Sequence, residues 1–195
     1  MKCLAVMAVF AVTAGFAPYE VTRAEWQACY DSGGCSYLPP GPDSSSDFPV
    51  TGVNHFDVDE YIAWINAKTS KTHRLPTADE WAIASGGLSR RKSKKLFDDP
   101  RLAWAADYGA MPQVSPKLQP SGSFGAISGI YDLGGNVWEW TSTCAAADPE
   151  NCPAYIVAGE HEAALSIFIR DPATGGCAAG VPPANVGFRL VLDEP

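Results

Sequence analysis

Asp132 and Glu139 stand at the two ends of a Gly-rich turn, Asp132-Leu133-Gly134-Gly135-Asn136-Val137-Trp138-Glu139. Their side chains supply carboxylates, and Gly135 and Val137 can present backbone carbonyls where the chain turns tightly. Hard oxygen ligands of mixed carboxylate and carbonyl type suit Ca2+. A structural calcium ion on Asp132, Gly135, Val137 and Glu139 is therefore expected. The same carboxylates could instead close a network with arginine and no metal. Arg74, beside the apolar Leu75-Pro76 step, and Arg189, beside Phe188, are candidates for buried guanidinium groups. Glu80 and Glu139 are their expected partners.

Thiol and imidazole chemistry has fewer carriers. The six cysteines are Cys3, Cys29, Cys35, Cys144, Cys152 and Cys177. Cys29 and Cys35 flank a Gly-Gly turn, and Cys144 and Cys152 flank a short loop. Two short-loop disulfides would suit an oxidising compartment. Cys177 is left over, as a free thiol or the partner of another cysteine. No C-x-x-C pair is present, so a structural zinc site or thioredoxin-type chemistry has no support. The three histidines, His55, His73 and His161, are dispersed. His55 reads as a helix-entry residue and His73 as a surface residue. In Glu160-His161-Glu162 adjacent strand positions face opposite sides, so the imidazole points away from both carboxylates. No Gly-x-Ser-x-Gly elbow, phosphate loop or nucleotide fingerprint appears.

The elements that would position these residues are short. The chain has 195 residues, 46% apolar and 18% charged, with 18 Gly, 16 Pro and six Trp. That suits one loop-rich domain pinned by large aromatics, of α+β class with few short helices and small sheets. Thr22-Arg23-Ala24-Glu25 and Thr77-Ala78-Asp79-Glu80 have the form of capping boxes, each opening a helix. Gly33-Gly34 and Gly86-Gly87 stop them. Between them Asp57 is expected to cap a helix carrying Val58, Tyr61, Ile62 and Ile65 at helical spacing. Asp57, Asp59 and Glu60 there serve the helix dipole. Ile130-Tyr131 and Val137–Thr141 read as strands joined by Gly134-Gly135, and Gly187–Leu192 as a closing strand. Residues 43–47 and 112–124 read as loops.

The net charge is −8, which disfavours a polyanion binder, so no nucleic-acid partner is expected. The basic run Arg90, Arg91, Lys92, Lys94, Lys95 is read as a solvated loop. No apolar run reaches 18 residues, so no membrane-spanning helix is expected. Residues 1–17, with Lys2 before an apolar stretch and small residues at Ala14 and Ala17, read as a candidate signal peptide or a first strand. A periplasmic or secreted location follows from the first reading, a cytoplasmic one from the second.

Four segments together resemble the formylglycine-generating enzyme (sulfatase-modifying factor) family: Tyr19–Trp26, Arg74–Trp81, Gly129–Trp140 and Asn185–Leu190. Their order and spacing match that family from about residue 18. The resemblance implies the family's variant of the C-type-lectin fold over residues 18–195, as one domain with a shortened or missing opening strand region. It also places a calcium site of the family at Asp132, Gly135, Val137 and Glu139. Asp107 falls near a ligand of a second family calcium site whose completing segment is shortened here.

Family members that make formylglycine hold copper(I) on two cysteines some two dozen residues before the Asn-x-Gly-Phe-Arg ending. The corresponding stretch, 157–170, contains no cysteine. The related sulfoxide synthases hold nonheme iron on a His-x-x-x-His-x-Glu arrangement, which this chain lacks. Copper and iron are therefore not expected. The resemblance implies a noncatalytic binding or accessory module with a protein or peptide partner, using the surface near residues 155–184. Some family members accompany secreted metalloenzymes such as copper nitrite reductases. The alternative is a metal-dependent oxidoreductase of the formylglycine-generating or nonheme iron type.

Overall fold

The computed structural model describes residues 15–41, 46–86, 118–144, 152, 154–159, 168–170 and 186–193. Three helices open on capping boxes. In α1 (Arg23–Asp31) the Thr22 hydroxyl accepts from the Glu25 amide, and the Glu25 carboxylate accepts from the Thr22 amide. Its inner face carries the buried Trp26 and Cys29. In α2 (His55–Thr69) the cap is Asn54, with Asp57 completing the box at the third helical position. The helix thus opens ahead of the expected Asp57. Asn and Asp can share one box, and a single acidic residue at the start does not say which end of it is filled. The third helix, α3 (Ala78–Ala84), starts at Thr77 as expected.

Eight short strands complete the described fold: β1 (His73–Arg74), β2 (Ala126–Ile127), β3 (Ile130–Tyr131), β4 (Trp138–Cys144), β5 (Ala154–Ala158), β6 (Phe168–Arg170), β7 (Val186–Gly187) and β8 (Val191–Leu192). They form a four-stranded sheet in the order β6-β5-β4-β7 and two pairs, β1-β8 and β2-β3. β4 and β7 run parallel, whereas β5 is antiparallel to both its neighbours.

The closing strand is broken in two. Val186 and Gly187 pair with β4, and Val191 and Leu192 pair with β1. Between them Phe188, Arg189 and Leu190 are all buried, because the segment crosses from one sheet to the other with its side chains inside. Gly187 is required at the crossing, since a Cβ there would sit 2.8 Å from the Val50 carbonyl. The amino-terminal segment lies against the same crossing. Ala17 N–H donates to Leu190 O at 2.8 Å and Val21 N–H to Phe188 O at 2.9 Å, while Phe16 bridges Val191. Residues 1–14, the rest of the candidate leader or strand, lie outside the described residues.

Two apolar clusters result. Trp26, Tyr61, Trp140 and Phe188 centre one, with Trp138 packed against it; Trp81, Ile130 and Leu133 centre the other. Both expected disulfides are present, Cys29–Cys35 and Cys144–Cys152.

Candidate functional site: the 132–139 turn and Arg189

The turn between β3 and β4 reverses through two left-handed residues, Asp132 (φ 63°) and Asn136 (φ 66°). Asp and Asn are the non-glycine types that adopt this conformation most readily. The Asp132 carboxylate, buried, accepts from the Phe124 amide at 2.7 Å and from the Gly122 amide. Gly135 N–H donates to Asp132 O at 3.1 Å, and Val137 N–H to Gly135 O at 2.9 Å. Gly135 lies under the Phe124 ring, which a Cβ would strike.

Glu139 and Arg189 are each fully buried and bonded to one another twice. The guanidinium donates to the two carboxylate oxygens at 2.6 and 2.7 Å, and the Trp81 indole donates to Oε2 at 2.9 Å. Arg189 also donates to the carbonyls of Ala17, Pro18 and Tyr131. One guanidinium therefore ties the amino-terminal segment, β3 and β4 together. Burial works against its charge, and Glu139, with Glu20 and Asp132, outweighs that and raises its pKa. The second expected pair is present too: Arg74 contacts Glu80 at 2.7 and 2.8 Å, and Asp193 at 2.8 Å.

Two residues of this cluster carried no signal of their own in the sequence. Asn136 holds the segment before the turn, accepting from Gln119 N–H at 3.1 Å and donating to its carbonyl at 3.2 Å. Glu20 is 1% exposed, its Oε1 meets Asn136 Nδ2 at 3.4 Å, and its Oε2 has no hydrogen-bond partner. Burial, and then the Glu139 charge, push its carboxyl up to about 8, with Arg189 pulling the other way. Its only available hint was apolar company at Tyr19 and Val21, for glutamate is seldom buried unless paired.

Calcium at the turn can be tested against this donor set. A carboxylate offers about four acceptor sites. Asp132 uses two and Glu139 three, so both retain a lone pair, as does the Gly135 carbonyl. Three buried carboxyl groups among the described residues, Glu20, Asp132 and Glu139, act on the Arg189 guanidinium, and one Glu20 oxygen has no hydrogen-bond partner. A divalent cation fits that charge and that chemistry. Among the described residues no three side chains of His, Cys, Asp or Glu converge on a common point, so backbone carbonyls would have to complete the shell.

The histidines part company. His55, at the first position of α2, is buried, stacked on Tyr155 at 3.6 Å and edge-on to Trp140. His73 lies half-buried with its ring against Asn66. His161 with Glu160 and Glu162, Asp107, Cys177, the 90–95 basic run and most of the 155–184 surface lie outside the described residues.

A family model described as the sulfatase-modifying factor enzyme 1-like domain matches residues 12–194. The chain belongs to this family. Its relatives include the inactive C-alpha-formylglycine-generating enzyme 2 of Bos taurus, 33% identical over 122 residues, covering 54% of this chain and 37% of that protein. The formylglycine-generating enzyme of Mycobacterium tuberculosis is 32% identical over 154 residues, 69% of this chain and 47% of that protein. A hercynine oxygenase of Mycolicibacterium thermoresistibile is 29% identical over 159 residues, covering 63% and 34%. The chain thus spans less than half the length of these relatives. Among solved structures, CarF superposes with a TM-score of 0.59 at 19% identity, over 92% of this chain and 86% of that one. PvdO from Pseudomonas aeruginosa gives 0.58 at 20%, over 92% and 80%. Both carry the same fold, the loop-rich α+β variant of the C-type lectin expected from the four motifs.

Proposed function

We propose that the chain is a noncatalytic member of the sulfatase-modifying factor family, a binding or accessory module for a protein or peptide partner. The observation that carries this reading is the cysteine inventory. Four of the six cysteines are closed into two disulfides. The stretch 157–170, where relatives that make formylglycine carry their copper-binding pair, holds none. Only Cys3 and Cys177 remain, too far apart in sequence for a pair a few residues apart. Two thiolates are the soft ligand set that copper(I) takes, and one is not enough. Similarity to relatives named as inactive supports the same reading.

Within it, calcium is a structural ion on Asp132, Gly135, Val137 and Glu139, supplying positive charge to the buried carboxylates and no redox step. The disulfides favour a periplasmic or extracellular setting, where a partner such as a secreted metalloenzyme would be met.

Elemental analysis of the dialysed, tag-free protein tests the proposal, with calcium, copper and iron counted per chain. Calcium near one equivalent with neither redox metal is the expected result. Stoichiometric copper or iron would overturn it in favour of an oxidoreductase. The Cys177→Ala variant should keep its fold and its binding; loss of a measurable turnover in that variant would overturn the noncatalytic reading independently.

A further inference from the structure

The two disulfides occupy unlike places. Cys29 and Cys35 are 0% and 3% exposed, inside the cluster around Trp26 and Phe188, whereas Cys144 and Cys152 are only partly buried. Cys144–Cys152 also closes an irregular hairpin. β4 and β5 pair regularly at Glu139↔Ala158 and Trp140↔Val157, then slip register, and pairing resumes only at Cys144↔Tyr155. Beyond such a bulge the ladder is interrupted and the strands hold each other less well.

What lies beyond the slip is coupled to two helix starts. The Tyr155 ring, directly across from Cys144, stacks on His55 at the first position of α2. The Thr143 hydroxyl accepts from the Ala78 amide at 2.8 Å, at the first position of α3. On the near side of the slip, Glu139 and Trp140 are fully buried and bonded to Arg189, Trp81 and the Val53 carbonyl. Strand order there does not depend on the cystine.

We propose that Cys144–Cys152 is a redox latch: a dithiol reductant opens it while Cys29–Cys35 stays closed, and the end of β4 then parts from β5 and lets go of the start of α3, while β6 keeps its hold on β5 at residues 154–156. The dithiol gives two electrons and two protons to the cystine. It leaves as a cyclic disulfide, and Cys144 and Cys152 become thiols. Access governs which of two disulfides exchanges first, because the attacking thiolate must reach a sulfur. Opening is local because the proximal half of the hairpin keeps its buried bonds.

The full chain is titrated with dithiothreitol without denaturant, quenched by alkylation and mapped by mass spectrometry. In parallel, amide hydrogen exchange is followed on a Cys144→Ser/Cys152→Ser variant. Cys144 and Cys152 should be alkylated at reductant levels that leave Cys29 and Cys35 protected. The variant should fold, with the Ala78 amide, which the Thr143 hydroxyl holds, exchanging at least tenfold faster and those of Glu139 and Trp140 unchanged. Opening of Cys29–Cys35 first, or of both bridges together, overturns the proposal. So does a variant that fails to fold, or one in which the Ala78 amide keeps its protection.

Discussion

Arg189 divides its guanidinium among one carboxylate and three backbone carbonyls, so its removal strands partners on three segments at once. Breaking one side of a buried ion pair typically costs about 3–5 kcal/mol, much of it from the charge left behind. Arg189→Met should therefore lower unfolding free energy by about that amount in urea titrations. Adding Glu139→Gln should cost less than the sum of the two single changes, since the stranded charge is gone. Strict additivity would mean that the pair is not coupled. The pairing was readable beforehand: an Arg beside Phe188 and a Glu between two tryptophans have few ways to be buried other than together. Glu20 was not readable, because its burial depends on three segments far apart in the chain that sequence alone does not bring together.

The helices stand on boxes of four residues each, and that is why they were readable. Thr-x-x-Glu names its own ends at Thr22 and Thr77, whereas Asp57 marks only the far end of a box that Asn54 opens three residues earlier. The divided closing segment was hidden for another reason, since a change of sheet between Gly187 and Val191 leaves the apolar pattern of a single strand intact. In α3 the box does double duty. Glu80 accepts from the Thr77 amide while it also binds Arg74. Losing the hydroxyl in Thr77→Ala should cost about 1 kcal/mol, read from the thermal or urea midpoint. Hydrogen bonds from Arg74, then the cap, pull the Glu80 carboxyl down to about 2. A depressed acid stabilises the folded state above its unfolded pKa, and that contribution fades as pH falls from about 4.5 toward 2. The side chains are partly exposed, so the effect is modest, and Glu80→Gln should flatten this acid limb by lowering the neutral plateau a little while leaving stability near pH 2 unchanged.

At the scale of the molecule, segments 17–21 and 188–190 are zipped along one another through Ala17, Val21, Phe188 and Leu190, with Glu20 buried between the two bonds. Glu20 has the opposite sign to Glu80. Its folded carboxyl sits at about 8, above an ordinary value of 4.5, so the folded state keeps a proton that the unfolded chain releases. Stability from this group is complete below about 4.5, declines as pH rises and is lost once pH passes 8. With the acid limb of Glu80 lying lower, the thermal midpoint should peak in mildly acidic solution and fall toward alkaline pH. Glu20→Gln, which cannot ionise, should remove most of the alkaline decline; an unchanged decline would acquit Glu20 and point to another group. The proposed calcium, on Asp132 and Glu139 beside Glu20, would act on this group from the other side. A divalent cation favours the ionised form that the proton opposes, so binding and deprotonation are linked. The midpoint difference between excess Ca2+ and chelator should therefore widen as pH climbs from 5 to 8 in the native sequence and stay level in Glu20→Gln. No difference at any pH would leave Arg189 and a proton, among the described residues, to balance the three buried carboxyl groups, and calcium would have no part in this turn.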